Sequence, residues 1–595
     1  MERHEEEKGK AVGVLGFSLL SVLIGIIAGF GAVVFRGLIA FFHNLLILGK
    51  LSIVYDANVH TPPSPLGPFI ILVPVLGALG VAFLVKNFAP EAKGHGVPEV
   101  MDAIYYNKGN IRPIVALIKS IASALSIGSG GAIGREGPII QIGSSFGSSV
   151  GQVLKIPVWQ RITLIAAGAG GGIAATFNTP IGGVLFAVEI MLHEVSARTL
   201  IPVVISTVTA TYLGRVFFGT YPSFVIPSFQ TPYFHLTHPL VLPSYIGLGI
   251  IIGLSSVLFI RSIYGFEDFF DEHVKGNYYT RHMSGMLLVG IMMYVLMATQ
   301  GHYYIEGVGY STVQTILNGS LSNPYLVLIL FVLKLFATSL TLGSGASGGI
   351  FSPALFMGAT LGAAYGSFLE HFLPGLAISP PAFAVAGMAG MVGGTTGAAM
   401  AAIVMIFEMT RDYVVVIPMT ITVALSYGVR KHLCNESIYT LKLARRGHYM
   451  PEALQTHFHQ LKRAKDLMDT HFGTVQASNT DAEFVRIASE QNSVSVFLME
   501  DAGKVVGVLA KDTAIGCMVP AGRSTTLYEL AGKDFVTVSE DSTLFYVLAR
   551  MRSNRASVAL VTKDGEVVSH DDVKGVITRQ QIGDAVMEGI ELFAD

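Results

Sequence analysis

Charge is the scarcest property of this sequence. Asp, Glu, Lys and Arg make up 13% of its 595 residues, against 51% hydrophobic ones, and mean hydropathy is +0.57. A soluble protein carries roughly a quarter charged residues, so a chain that is aqueous and globular throughout is excluded. The deficit is uneven. Pro113 to Ser196 holds seven charged residues in 84, whereas Pro451 to Asp595 holds 35 in 145, so a membrane part precedes a soluble part. Cysteine is nearly absent as well. Cys434 and Cys517 match no metal-site spacing, which excludes a disulfide scaffold, assigns no residue to a metal and points to a reducing environment for the soluble part. The net charge of −2 divides into −7 on the last 145 residues and +5 on the first 450. That surplus suits basic cytoplasmic membrane edges and is too small for nucleic-acid binding. No small-residue cleavage site precedes the first apolar stretch, so a membrane helix is expected there and not a removed signal.

Runs of about 20 apolar residues, enough to span a bilayer, occur near 11–29, 67–86, 200–218, 241–260, 283–299, 324–342 and 402–427. Between them lie apolar stretches too rich in glycine and proline for plain helix, at 128–147, 166–186 and 343–362. Hydrocarbon tolerates irregular backbone only where protein or a water-filled cavity satisfies it, so these stretches should line something buried. Two of them repeat. Lys119 to Gly147 shifted by 215 lands on Lys334 to Gly362 with ten of 29 residues identical, among them Gly128 with Gly343, Ser129 with Ser344, Pro138 with Pro353 and Gly143 with Gly358. A shift of 219 maps Ala167, Gly168, Gly171, Thr176 and Glu189 onto Ala386, Gly387, Gly390, Thr395 and Glu408. Interrupted segments at corresponding places in two halves point to a binding site at a repeat interface. Close helix packing by small residues is the plainer alternative for any one of them.

Helices beginning at GREGP (Gly134 to Pro138) and GGIFSP (Gly348 to Pro353) would turn unpaired N–H groups and positive dipole ends inward, which favours a small anion. A divalent-cation pathway needs several converging carboxylates. Only Glu136, Glu189 and Glu408 lie near these segments, which weighs against a cation transporter with a regulatory tail. An intramembrane enzyme lacks support too: there is no HExxH, no partnered serine and no paired aspartates. An ionisable residue at membrane depth is functional by default, which singles out Glu136.

GHGVP (Gly94 to Pro98), GREGP, GGIFSP and ESIY (Glu436 to Tyr439) occur in the order and at the spacing of the CLC family of chloride channels and chloride/proton antiporters, and the chain resembles that family over about residues 10–450. The resemblance implies an all-α polytopic membrane protein with an inverted internal repeat and broken helices, forming a homodimer with one anion pathway per subunit. The expected domains are a cytoplasmic N-terminus (1–10), a transport domain (11–450, with halves 11–225 and 240–445) and a cytoplasmic tail (451–595). The anion site is expected to use the N–H groups of Ile350 and Phe351, the Tyr439 hydroxyl, Gly134, Arg135 and Gly137 of GREGP, and His95. His95 stands where the family usually has serine, and its ring could donate to the anion or turn to the cytoplasmic vestibule. Glu136 matches the gating glutamate, which blocks the site when ionised and leaves it when protonated or displaced. Lys119 matches a family lysine whose charge would raise anion affinity. Lys334 is its counterpart, and both could instead snorkel to an interface. Many antiporters of the family have two adjacent acids where this chain has Glu189 and Ile190. Isoleucine carries no proton, so the reading leans to conductive chloride permeation, with chloride/proton exchange as the alternative. Chloride is the substrate, protons a second one under exchange, and lipid the surroundings. The expected location is the plasma membrane, the inner one in a bacterium, crossed many times with both termini cytoplasmic.

The tail alternates helix-like and strand-like segments twice and looks like an α/β tandem pair of CBS modules, about 465–520 and 530–590. Nucleotide-binding members often end a strand with Thr and carry Asp three residues on. Here those positions are Ala510 with Thr513 and Thr578 with Gln581, so a structural or dimer-stabilising role is favoured over nucleotide binding.

Overall fold

The first apolar stretch stays helical well past Gly29. In the computed structural model α1 runs Val14–Leu48, about 52 Å at 1.5 Å per residue, long enough to cross a bilayer at a tilt. The structure describes residues 10–192, 195–227, 241–376, 378–450, 463–491, 494–512, 527, 535–565 and 569–583. These divide into two units, Met1–Leu454 and Gln455–Asp595. Thr513 and Cys517 lie outside the described residues.

In the first unit α1 is followed by α2 (Val73–Phe88), α3 (Val97–Tyr106), α4 (Ile114–Gly128), α5 (Glu136–Val153), α6 (Val158–Phe177), α7 (Pro180–Phe186) and α8 (Ala197–Phe218). The second half has α9 (Leu242–His273), α10 (Tyr278–Gln300), α11 (Tyr310–Leu317), α12 (Pro324–Gly343), α13 (Phe351–Phe372), α14 (Pro380–Thr396), α15 (Ala399–Thr410), α16 (Val416–Leu433) and α17 (Thr440–Ala444). Among the described residues six helical stretches are long and apolar enough to cross a membrane. The run 402–427 is not one of them. It breaks at Arg411, which caps α15 in the left-handed region at φ 56°, and α16 starts afresh after a polar turn.

Hydrogen bonds orient the two halves. The Gln160 side-chain amide, in the first turn of α6, bonds the Val12 backbone through both its oxygen and its nitrogen at 3.0 and 2.8 Å. At the other end of α6 the Phe177 carbonyl accepts from Ser223, and Phe224 N–H donates to Met409 just before α16. Eighteen residues of α16 return across about 27 Å, so Leu433 ends on the Val12 face. There Ile438 N–H meets Thr395 O at the end of α14. Helix α6 therefore starts on the face where its counterpart α14 ends, which is an inverted repeat.

Glycine sets how closely the counterparts pack. A Cβ on Gly143 would lie 2.1 Å from the Gly168 carbonyl oxygen, and one on Gly168 would lie 2.2 Å from that of Gly143. Gly358 and Gly387 repeat this between α13 and α14 at 2.3 and 2.2 Å. Lipid offers no hydrophobic drive for helix association, so such backbone contact is what holds α5 to α6 and α13 to α14.

The second unit contains two three-stranded sheets of the same topology. Strands β1 (Gly473–Gln476) and β2 (Val496–Asp501) pair in parallel, and β3 (Lys504–Ala510) runs antiparallel to β2; β4 (Phe535–Ser539), β5 (Val558–Thr562) and β6 (Val573–Thr578) repeat the pattern. Val496, Leu498 and Val508 of one sheet share a buried cluster with Val558, Leu560 and Val576 of the other. The segment before the first sheet belongs to the second: Ala464 and Lys465 N–H donate to Ser542 and Glu540, and Asp469 pairs with Val576. At the end of β6 the Gln581 side chain accepts from Thr578 N–H at 2.7 Å, so the position where nucleotide-binding members often carry Asp is used here in a local turn.

Candidate anion site

Four helix N-termini, those of α3, α5, α11 and α13, follow short glycine-bearing loops, and the loops before α3, α5 and α13 are laced together. Gly134 and Gly349 exchange both backbone hydrogen bonds at 2.7 Å, and they are equivalent residues under the shift of 215. A reciprocal bond between equivalents marks the two-fold axis relating the halves. It also corrects the expectation for Gly134, whose N–H is spent on Gly349 and is not left for an anion. Gly94 N–H donates to Ala346 O, and Gly348 N–H to Gly94 O, tying the GHGVP loop to the same place.

The two lysines are wholly buried and do not snorkel. Lys119 Nζ donates to the carbonyls of Ala92 and Gly94 at 3.0 and 2.7 Å, and Lys334 Nζ to those of Ile305 and Gly307 at 2.8 Å each. Each ammonium thus fixes the loop before a broken helix while placing a positive charge beside it. Buried charge of this kind persists only when hydrogen-bonded.

Glu136 opens α5 and is 1% exposed. Its Oε1 accepts from the hydroxyls of Tyr310 and Ser352, both at 2.5 Å, and its Oε2 accepts from Ser352 N–H at 3.2 Å. Ile350, Phe351 and Ser352 form the entrance to α13, where first-turn N–H groups have no intrahelical acceptor. The carboxylate therefore occupies a helix N-terminus of the opposite half, a place suited to an anion. Arg135 is 4.0 Å from Glu136 through Nε, with its guanidinium over the rings of Tyr310 and Phe177 at 5.1 and 5.8 Å. Gly137 has no room for a side chain: a Cβ would meet His95 O at 2.1 Å.

His95 is 3% exposed. Its Nδ1 has no hydrogen-bond partner among the described residues, and its ring stands edge-on to Tyr264 at 6.1 Å. Tyr264 hydroxyl donates to Ile438 O at 2.5 Å, which sets the neighbouring Tyr439, itself buried, at the start of α17. Glu189 lies in a π-helical turn, Ala187–Leu192, after α7. Both its oxygens are taken, by N–H of Met400 at 3.0 Å and of Ala401 at 2.7 Å in the first turn of α15. Glu408 does the same for Ile181 and Gly182 in the first turn of α7. The matched glutamates are mutual helix caps, and Ile190 beside them is buried and apolar.

Sequence reading missed Tyr310 and Ser352. A signal for Tyr310 existed at a third shift, 213, which maps Gly94 and Gly96 of GHGVP onto Gly307 and Gly309 and so places Tyr310 opposite Val97.

Comparison with known proteins agrees with this geometry. The family model for voltage gated chloride channels matches residues 77–431, and that for CBS domains matches 527–588. A protein of Ralstonia nicotianae named as ClcB-like is 34% identical over 63% of this chain and 85% of its own length. The H(+)/Cl(-) exchange transporter ClcA of Vibrio parahaemolyticus is 33% identical over 64% of this chain and 80% of its own length. Among solved structures, a slow cyanobacterial Cl-/H+ antiporter aligns with a TM-score of 0.61 and 25% identity, covering 72% of this chain and 97% of that one.

Proposed function

Because the chain belongs to the voltage-gated chloride channel family and carries CBS modules behind its membrane part, we propose that it exchanges chloride for protons through a pathway gated by Glu136. One observation carries the reading: the Glu136 carboxylate sits on the α13 N-terminus, held by Ser352 N–H. Chloride arriving there competes with the carboxylate, and a proton on the carboxylate removes the charge that holds it. One side chain then links anion entry to proton uptake.

The lean to pure conduction rested on Ile190. The exchange named for the Vibrio relative and for the cyanobacterial antiporter supports coupling over it. Anion contacts are assigned to N–H groups of Ile350 and Phe351, the Tyr439 hydroxyl and the unpartnered edge of His95, with Lys119 and Arg135 supplying positive potential. We place the Val12 and Leu433 face in the cytoplasm, since the junction KHLCNESIYTLKLARRGH there is basic. Each subunit of a homodimer would work alone, and the CBS pair would serve as a structural or dimer-stabilising element. The reversal potential of reconstituted protein under a chloride gradient, with and without a pH gradient, tests the reading. A potential that moves with pH supports exchange, and one fixed by chloride alone restores conduction.

A further inference from the structure

Two cavities on the face opposite Val12 share a single acid, Glu306. Each has about 10 Å³ of space, room for about one water; one is lined by Arg36, His43, Tyr55, Arg135 and Glu306, the other by His60, Thr61, Tyr303, Tyr304 and Ser311 together with Tyr55 and Glu306. Glu306 Oε1 lies 2.8 Å from His43 Nε2, and the side chains are 9% and 3% exposed. The same ring nitrogen is 3.1 Å from the Thr61 hydroxyl, while Nδ1, although buried, has no partner among the described residues. The loop is rigid at this point because Lys334 holds the carbonyls of Ile305 and Gly307 on either side of Glu306. Four residues later the same loop delivers Tyr310 to Glu136, and Arg135 at the wall of the first cavity directly precedes Glu136.

We infer that the Glu306–His43 pair is a proton-transfer station between the outer solution and Glu136. The inference rests on the exchange reading above. A carboxylate and an imidazole in hydrogen bond accept one proton between them and pass it on without either moving far. The proton enters from the Thr61 side, resides on the pair, and leaves through water in the Arg135-lined cavity to the Glu136 carboxylate once that group has left Tyr310 and Ser352. The pair then returns to its starting charge. A merely structural clip between the end of α1 and this loop would need neither room for a water on each side nor a ring nitrogen left unpaired.

The basic side chains nearest Glu306 are Arg36 from α1, Arg135 from the loop before α5, and Lys334 from α12. The titratable neighbours are His43 from α1, Tyr55, Asp56 and His60 from the loop after it, and Tyr303 and Tyr304 on its own segment. His302 stacks on His60 at 4.3 Å.

The test measures chloride efflux and proton uptake together in vesicles of the full chain, for the unaltered protein, Glu306→Gln, His43→Gln and Glu306→Gln combined with Glu136→Gln. Glu306→Gln keeps the shape and a hydrogen bond to His43. It should lower proton uptake at least tenfold and flatten the outer-pH dependence of chloride efflux, with His43→Gln in the same direction. Added to Glu136→Gln it should change chloride efflux less than twofold. Unaltered proton uptake in both single variants overturns the inference while leaving exchange intact. An equal loss of chloride efflux with and without Glu136 also overturns it, by showing a structural clip. An unaltered protein that takes up no protons refutes exchange itself, and the station with it.

Discussion

On the proposed reading of Glu136 as the gate, removing the Tyr310 hydroxyl isolates what holds it shut. Glu136 Oε1 receives two hydroxyl donors at 2.5 Å in a buried site, and Oε2 a third donor, Ser352 N–H, at 3.2 Å. A hydrogen bond to a charged group contributes about 1.5–3 kcal/mol. Tyr310→Phe deletes one such bond and leaves the ring contacts with Phe177 and Phe224 in place. If chloride must displace the carboxylate to bind, weakening the competitor by that amount raises apparent chloride affinity about 10- to 150-fold. Calorimetric titration of chloride into the purified protein reads this directly. The control is the same substitution in Glu136→Ala, where no carboxylate competes and the gain should vanish, giving a coupling energy of about 1.5–3 kcal/mol between the two positions. Unchanged affinity in the native background would refute the clamp. So would an equal fall in both backgrounds, because Tyr310 would then serve the anion or the packing and not the gate.

Glu136→Gln should keep anion flux while its pH dependence and any proton coupling disappear; a retained pH profile in flux assays would remove Glu136 from the gate. His95→Ser, which restores the usual family residue, should alter the ranking of chloride against nitrate in competition flux, and indistinguishable selectivity would place the ring outside the pathway. Gly143→Ala forces a methyl group onto the Gly168 carbonyl and should destabilise by about 1–3 kcal/mol or more in a thermal melt, whereas Gly428→Ala in α16, with open space around it, should be neutral or stabilising. In the tail, hydrogen bonds from Lys465 and then Arg463 hold the Asp541 carboxyl below its ordinary range. Its contribution is therefore complete at neutral pH and lost as pH falls below about 4. Amide protection of residues 464–468 in the full chain should drop in Asp541→Asn at pH 6, and the difference from the unaltered chain should shrink by pH 3.

The frame of the site was legible in the sequence because a tight backbone admits few residue types. Gly143 and Gly358, Pro138 and Pro353, and Lys119 and Lys334 recur where carbonyls touch, helices start or loops need an ammonium. Glu189 and Glu408 were visible as a match, yet their reciprocal capping of α15 and α7 exists only once the halves interlock. Hydropathy read 402–427 as one span because a single left-handed Arg411 hardly changes an apolar average. Tyr310 escaped for a related reason. Its loop is two residues out of step with the main repeat, so neither the 215 nor the 219 shift aligns it with Val97.

Symmetry separates frame from chemistry in this protein. Residues that are the same in both halves (Lys119 and Lys334, Gly134 and Gly349, Glu189 and Glu408) bind backbone and build the frame. Around Glu136 and Glu306 equivalent positions differ. Glu136 is opposite Phe351, Gly137 opposite Ser352, Val97 opposite Tyr310, His95 opposite Val308 and Lys93 opposite Glu306. A two-fold arrangement brings two sets of positive helix ends to one place, but two acids there would repel each other and leave no site for an anion. Only one half supplies the carboxylate, and the other supplies the N–H and hydroxyl groups that receive it. A gate that chloride can replace, as proposed for Glu136, requires that inequality, so on that reading the differences between the repeats carry the function that their likeness positions.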